Sequence, residues 1–266
     1  MNELQVGEIL RDTMDTYKAK WKTILMLSLI SMVISTVLGM FGMLIGSFMQ
    51  LRVQLMLLVI NLIVTLISLY FTSRLSVSLI IVSNSDTNDE EVNVSNSYEK
   101  AKDTTWRYIG KALLYGLMLI IPVFLVMLGL FYGRPMGISV PTRWGLFLVG
   151  IFPMLYLSTT YFFSTYAAVL HPKEESVFSY SKQLVKGNFF KVFLITLIPL
   201  FISFPLYISG YFLKIDTLSV GMQFLVTTLI SIPGIFIAPF TVLLSVMAMR
   251  KLESLKSVAV VEAEVI

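Results

Sequence analysis

The sequence predicts an all-α integral membrane protein: six transmembrane helices in three hairpins, with an amphipathic elbow helix at the membrane surface before spans 1, 3 and 5. Three observations predict it. Of the 266 residues, 56% are hydrophobic and only 14% charged, whereas water-soluble chains carry roughly 25% charged residues. Six apolar runs each reach the roughly 20 residues needed to cross a bilayer core about 30 Å thick. Basic residues are dense in every second connection and sparse in the others. A soluble helical core is excluded, because runs this long without a polar face could not be hidden in a chain of this size. The mean hydropathy of +0.83 agrees.

The spans are read at about 23–48, 53–82, 112–132, 144–170, 192–213 and 220–249, forming one polytopic domain over 1–266. The stretch 1–22 mixes polar and apolar residues and lacks the short apolar core of a cleaved signal, so the first span is expected to stay in the mature protein. Several runs exceed the minimum length and are expected to tilt, kink or continue into the interface.

Orientation follows from the cations, since Lys and Arg in short loops stay on the cytoplasmic side. Arg11, Lys18, Lys20 and Lys22 precede span 1. Lys100, Lys102, Arg107 and Lys111 precede span 3, Lys173, Lys182, Lys186 and Lys191 precede span 5, and Arg250, Lys251 and Lys256 follow span 6. The other side holds Arg52, Arg134, Arg143 and Lys214, and Arg74 lies within a span. Both termini are therefore expected in the cytoplasm. The net charge of +4 and pI near 9.1 record this bias, and no nucleic-acid partner is expected.

Each segment before an odd-numbered span has helical periodicity with one apolar face. The elbows are read at about 5–22, 94–110 and 176–189. In the first, Val6, Ile9, Leu10, Thr13, Met14, Tyr17 and Trp21 form the stripe. In the second it is Val94, Ser97, Tyr98, Ala101, Thr105, Tyr108, Ile109 and Ala112. In the third it is Val177, Ser181, Leu184, Val185, Asn188 and Phe189, with a turn expected at Gly187 and Asn188, the residue types that best adopt a left-handed cap. The recurrence of surface helix plus hairpin suggests a repeated architecture.

Aromatic and basic residues at these junctions suit the headgroup region, where each cation near an anionic surface contributes roughly 1 kcal/mol. Lys18, Trp21, Lys22, Trp106, Arg107, Lys111, Lys186, Asn188, Phe189 and Lys191 are the candidate lipid contacts. Two readings stay open: elbows that only anchor and orient the spans, and elbows that bind a specific lipid or partner.

The stretch Ser181, Lys182, Gln183, Leu184, Val185, Lys186, Gly187, Asn188, Phe189, Phe190, Lys191, Val192, Phe193 closely resembles the S-x-x-L-V-K-G-N-F-x-x-x-F elbow of a broad bacterial family. That family contains the membrane domain of glycerophosphodiester phosphodiesterases and related six-span proteins of unknown function. Ile9, Leu10, Arg11 and Asp12 with Tyr17 and Trp21 resemble its first elbow, and the end of the fourth span from Tyr166 to Leu170 with the acidic loop after it also fits. The resemblance implies a bacterial stand-alone membrane domain. It transfers no active site, because the catalytic domain that follows the membrane part in some relatives has no counterpart expected after Ile266.

Chemistry is sparse. No cysteine is present, which excludes disulfides, thiolate catalysis and Cys-ligated zinc or iron–sulfur centres. All 16 carboxylates fall outside the proposed spans, whereas proton-coupled transporters usually carry acids or histidines within the membrane. The single His171 sits at a span end beside Pro172, where a membrane-end or capping role is expected, and one His without Cys predicts no metal site. The run Asp86, Asp89, Glu90, Glu91 lacks the spacing of a calcium loop and reads as a solvated linker. There is no Gly-x-Ser-x-Gly elbow and no phosphate-cradling loop, so no cofactor is expected and ATP hydrolysis would need another chain.

Arg74 is the one charge well inside an apolar run, where burial costs about 2.5–3.5 kcal/mol on insertion scales. It is read as snorkelling toward the headgroups or, alternatively, as part of a polar lining for an anionic group. Pro122, Pro153, Pro199, Pro205, Pro233 and Pro239 can kink their helices, and Gly234 beside Pro233 could open a hinge or cavity as in the broken helices of transporters. Gly42 and Gly46 form a small-residue packing pattern.

These features predict a non-enzymatic, lipid-engaging or accessory scaffold of the bacterial cytoplasmic membrane, with anionic lipids or another membrane protein as partners. The alternative is a transport component, either a permease partner of a separate ATPase or an exporter of toxic peptides. A membrane-embedded lipid enzyme comes third.

Overall fold

The computed structural model describes residues 4–48, 54–85, 93–133, 135–212 and 219–264. The acidic run Asp86, Asp89, Glu90, Glu91 and the surroundings of Gly42 and Gly46 lie outside what it describes. Among the described residues all regular structure is helical. In chain order come α1 (Val6–Ala19), α2 (Trp21–Phe48), α3 (Gln54–Asn84), α4 (Val94–Lys100) and α5 (Lys102–Met127), the last continuing into a π-helical turn (Leu128–Tyr132). Then follow α6 (Val140–Thr160), α7 (Ser164–Leu170), α8 (Val177–Val185), α9 (Phe189–Phe212), α10 (Val220–Ser231) and α11 (Gly234–Glu264).

Among the described residues five helical segments are long and apolar enough to cross a membrane: Trp21–Phe41, Leu58–Asn84, Lys102–Tyr132, Val140–Leu170 and Gly234–Ser257. A sixth is reached if α8 and α9, bent by 107° at the turn between them, count as one span. The outward faces are those of a membrane protein. Ile121, Phe152 and Phe201 are each about two-thirds or more exposed, and a continuous apolar exterior on this scale is not sustained in water.

Helix boundaries follow local chemistry. Asn93 caps α4 by accepting the Asn96 N–H at 2.9 Å, as short polar side chains do at helix starts. At the other end of the third elbow, Gly187 takes φ +88°, and the Asn188 N–H returns to the Val185 carbonyl at 2.9 Å. Only a residue without Cβ adopts that backbone freely, and the chain leaves along α9.

Several boundaries differ from the sequence expectation: the run 144–170 divides into α6 and α7, and Phe189, read as the end of the third elbow, opens α9. The surface helix read at 94–110 divides at Ala101, so residues from Lys102 onward belong to the long helix α5. The first elbow ends at Lys20, so Trp21 and Lys22 open α2. The run 220–249 divides at Ile232 and Pro233, where the ring nitrogen has no hydrogen to donate. The turn there is held by Ile235 N–H to Ile232 O at 3.0 Å and Phe236 N–H to Pro233 O at 3.1 Å. From Gly234, α11 then runs 31 residues, about 46 Å at 1.5 Å per residue, which is longer than a bilayer core.

That length makes α11 the hub. It touches α1, α2, α3, α8, α9 and α10, and Leu243, Leu244, Val246, Ala248, Met249 and Leu252 are all buried. The elbow stripes pack here. Ile9 and Leu10 of α1 and Val177, Leu184 and Val185 of α8 join Leu244, Met249 and Leu252 in one apolar cluster. The amphipathic faces are those read from the periodicity, but protein covers most of their apolar stripe.

The α5–α6 hairpin brings two helices together backbone to backbone. A Cβ on Gly150 would stand 2.8 Å from the Pro122 carbonyl and 2.8 Å from the Val126 nitrogen, and one on Gly129 would stand 2.7 Å from the Arg143 carbonyl. Small residues let membrane helices approach backbone to backbone; in this hairpin the contact is made by Gly129 and Gly150.

Candidate functional site

The elbow-bearing end of the bundle collects α1, α4, α7, α8 and the last turns of α11, and with them most of the cations singled out in the sequence. Lys251 pairs with Glu8 at 2.9 Å, and three others reach backbone carbonyls at or just past helix ends. Lys20 Nζ donates to Val82 O at 2.9 Å, to Ser85 Oγ at 2.8 Å and to Ser85 O, closing the end of α3. Arg107 reaches from α5 to His171 O at 3.3 Å and to Glu174 O, just past α7. Lys256 on α11 donates to Gln183 O in the last turn of α8. At the opposite end Arg143 meets Gly129 O at 3.3 Å. The last four carbonyls of a helix lack partners within it and carry the negative end of its dipole, so a cation there satisfies both needs.

Arg74 follows the same rule. Its Nε–H donates to Tyr98 O at 3.0 Å, in the last turn of α4, and its guanidinium carbon stands 3.9 Å from the centroid of the Tyr98 ring. The side chain docks the second elbow onto α3. It is not among the residues lining the main cavities.

The remaining sequence candidates divide into two groups. Lys18 is exposed on α1, and Lys22 stands 6.0 Å from the centroid of the half-exposed Trp21 ring. Trp106 is exposed on its outer side and meets the Tyr70 ring at 5.3 Å. Lys111 is half-buried one turn beyond Arg107. Lys18 lies on α1, Trp21 and Lys22 on α2, and Trp106 and Lys111 on α5, and no described cavity gathers them.

The third elbow does gather its residues. A cavity of about 460 Å³ lies between the end of α6, the outer face of α8 and the start of α9, lined by Tyr156, Thr160, Ser179, Lys182, Gln183, Val185, Lys186 and Phe189. Local structure builds it. Positions 179, 182, 183 and 186 follow helical spacing on one face of α8, while Val177, Ser181, Leu184 and Val185 are buried on the other. Ser181 pins that buried face to the α6–α7 junction: its hydroxyl donates to Thr160 O at 2.8 Å and accepts the Phe163 N–H at 3.2 Å. The bend at Gly187 then swings Phe189 back over the cavity, where its ring stacks on Tyr156 at 5.9 Å and 26°. Asn188 serves the turn, and Lys191 is half-buried in the first turn of α9.

The electrostatics of this cavity are one-sided. Lys182 and Lys186 line it, and Lys256 reaches its rim through the Gln183 carbonyl. Among the described residues no carboxylate lines the cavity. Glu253, the acid nearest in sequence to Lys256, has its Oε1 engaged elsewhere: it accepts the Tyr180 hydroxyl at 2.6 Å and contacts His171 Nε2 at 2.8 Å.

That His171–Tyr180–Glu253 cluster went unread in the sequence. His171 ends α7, and its side chain ties the α7–α8 loop to α11, with Tyr180 Oη 3.3 Å from the same imidazole nitrogen. Burial first, then the hydrogen bond to Glu253 and its negative charge, push the Tyr180 phenol far above its usual pKa. Among the described residues no group of acids and histidines is placed to hold a metal ion.

Comparison with known proteins adds no name to this geometry: no family model, curated protein or solved structure matches the chain.

Proposed function

We propose that the chain is a six-span, non-enzymatic protein of the bacterial cytoplasmic membrane, with both termini in the cytoplasm, that engages anionic lipid at its third elbow and serves as a lipid-engaging scaffold. The observation that carries the reading is the cavity beside α8. Lys182 and Lys186 line it and Lys256 reaches its rim, no carboxylate among the described residues lines it, Ser179 and Gln183 add a hydroxyl and an amide, and the stacked Tyr156 and Phe189 rings form an apolar wall. Cations, polar donors and aromatic rings side by side suit a phosphate-bearing headgroup with the first part of its acyl chains. The resemblance of the 181–193 stretch to the bacterial elbow motif supports the same region.

The test is lipid retention by the intact protein. Extracted in native lipid, the wild type is expected to carry phosphatidylglycerol or another anionic lipid in excess over neutral lipid. Each of Lys182→Gln, Lys186→Gln and Lys256→Gln should weaken that retention by about fivefold, the equivalent of roughly 1 kcal/mol per cation. Equal retention by the triple variant would overturn the headgroup reading. Orientation is tested on the cysteine-free background: a cysteine placed at Ser95 should react with an impermeant maleimide only after the cells are opened.

A transport component is the second reading, favoured by the break of α10 from α11 at Pro233, which leaves hollows on both of its sides. Stoichiometric copurification of an ATPase would support it against the scaffold.

A further inference from the structure

The break at Pro233 opens the interior of the bundle. Between α2, α3, α10 and α11 lies a cavity of about 370 Å³, and a second of about 530 Å³ lies on the α9 side, the two sharing Ser231, Gly234 and Ala238. The first is lined by hydroxyls to an extent unusual for a membrane interior: Ser28, Ser31, Ser35 and Thr36 come from α2, Ser76 from α3, and Thr227, Thr228 and Ser231 from α10. Met32, Leu79, Ile235 and Val242 supply apolar wall, and no acid, base or histidine lines it.

The lining dictates what could occupy it. An ion would lack any opposite charge, and burying an unpaired charge at this depth is costly. The occupant is therefore neutral. The Ser28 hydroxyl already donates to Ile24 O at 2.9 Å, and the Ser231 hydroxyl to Thr227 O at 2.7 Å. A hydroxyl whose single hydrogen is committed to its own helix offers only lone pairs. Toward these two hydroxyls the complementary occupant is one that donates. Mixed hydroxyl and apolar walls within the apolar span region further require a molecule with a small polar head and an apolar body.

We propose that this cavity binds a neutral lipid with a free hydroxyl, of the diacylglycerol type, entering sideways from the bilayer beside the α10–α11 break. The site is distinct from the lysine-rimmed cavity of the third elbow and does not rest on that assignment. It selects for the missing phosphate where the other selects for its presence.

The experiment uses the full chain in lipid nanodiscs containing a trace of diacylglycerol with a photoactivatable diazirine in its acyl chain, with adducts located by peptide mapping. Adducts are expected on the segments around Ser28–Gly39 and Thr227–Ala238, and unlabelled diacylglycerol should compete where phosphatidylglycerol does not. An analogue with the free hydroxyl methylated keeps the oxygen and loses the donor; it should compete about two- to tenfold less well, the range for one hydrogen bond. Gly39→Leu should abolish these adducts, since a Cβ there meets nothing within 4 Å and the side chain can enter the cavity without displacing its neighbours. The unfolding temperature in the same nanodiscs checks that this variant is folded, and Ser28→Ala with Ser231→Ala gives a second pair should it fail.

Adducts spread evenly over the outer helix faces would overturn the proposal, leaving annular lipid only. So would equal competition by the methylated analogue, or wild-type labelling in Gly39→Leu and in the Ser→Ala pair. Lys186→Gln is expected to leave the labelling unchanged, so failure of the headgroup reading and failure of this one are separable.

Discussion

Arg74 on α3 and Tyr98 on α4 form a two-part contact: the Arg74 Nε–H donates to the Tyr98 carbonyl at 3.0 Å, and its guanidinium carbon lies 3.9 Å from the centroid of the same residue's ring. One planar group thus holds both the backbone end and the side chain of a seven-residue helix too short to persist alone. Arg74→Lys keeps the charge but loses the planar stack and the directed N–H. It is expected to lower stability by about 1–2 kcal/mol, and Arg74→Leu by about 2–4 kcal/mol. Unfolding in mixed micelles measures both. Equal stability of Arg74→Lys and wild type would remove the stacking argument.

Gly150→Ala should loosen the α5–α6 hairpin. The new methyl meets backbone atoms of Pro122 and Val126 at 2.8 Å, so a helix must move, at a cost of about 1–3 kcal/mol. Gly145→Ala, on the same helix with nothing within 4 Å of the added carbon, should be neutral or slightly stabilising because Ala is the better helix former. A paired thermal-unfolding measurement decides; similar losses at both positions would show that the backbone approach at Gly150 does not matter.

At the third elbow, Gly187→Ala forces a Cβ onto a residue at φ +88° and should cost about 1–2 kcal/mol. Gly187→Asn should be milder, since Asn tolerates the left-handed region. Because the same turn places Phe189 over the lysine-rimmed cavity, lipid retention should fall in step with stability across the two variants. A stability loss with unchanged retention would separate the bend from the site.

Tyr180 predicts an alkaline limit to stability. Its phenol is held neutral in the fold, by burial first and then by the Glu253 bond and charge, so its folded pKa lies above the usual value. The unfolded chain ionises near about pH 10. The contribution of Tyr180 is therefore fully present below that pH and is lost as pH rises through the folded value. Stability measured across the alkaline range should fall more steeply for the wild type than for Tyr180→Phe. Parallel curves would refute the assignment.

How far the sequence carried depends on the range of the interaction. The apolar runs, the amphipathic faces of α1 and α8, and the turn at Gly187 and Asn188 were legible, because each is written in residues a few positions apart. The partners of the cations were not. Lys20 and Val82 are 62 residues apart, and Arg107 and His171 are 64; since every residue carries a carbonyl, nothing in composition marks the one a lysine will find. A count of cations by side carries no information on their partners, and Lys20, Arg107 and Lys256 each end on a carbonyl at or just past a helix end. His171, Tyr180 and Glu253 escaped for the same reason, each unexceptional alone and meeting only where the α7–α8 loop lies against α11. The cavity at Pro233 was half legible: the proline and glycine marked a break, while the hydroxyl lining requires α2, α3 and α10 to converge.

The carbonyl-capping cations also bear on how the molecule is assembled during synthesis. Lys20 waits for the end of α3, Arg107 for the chain beyond α7, and the end of α8 for Lys256 on α11. Each clasp joins a segment already made to one that emerges later. Until the later partner is made, the carbonyls or cations on the earlier side of each clasp lack the contact they hold in the finished fold. α11 supplies both the hub and the last clasp, so those contacts close only once that helix has been made.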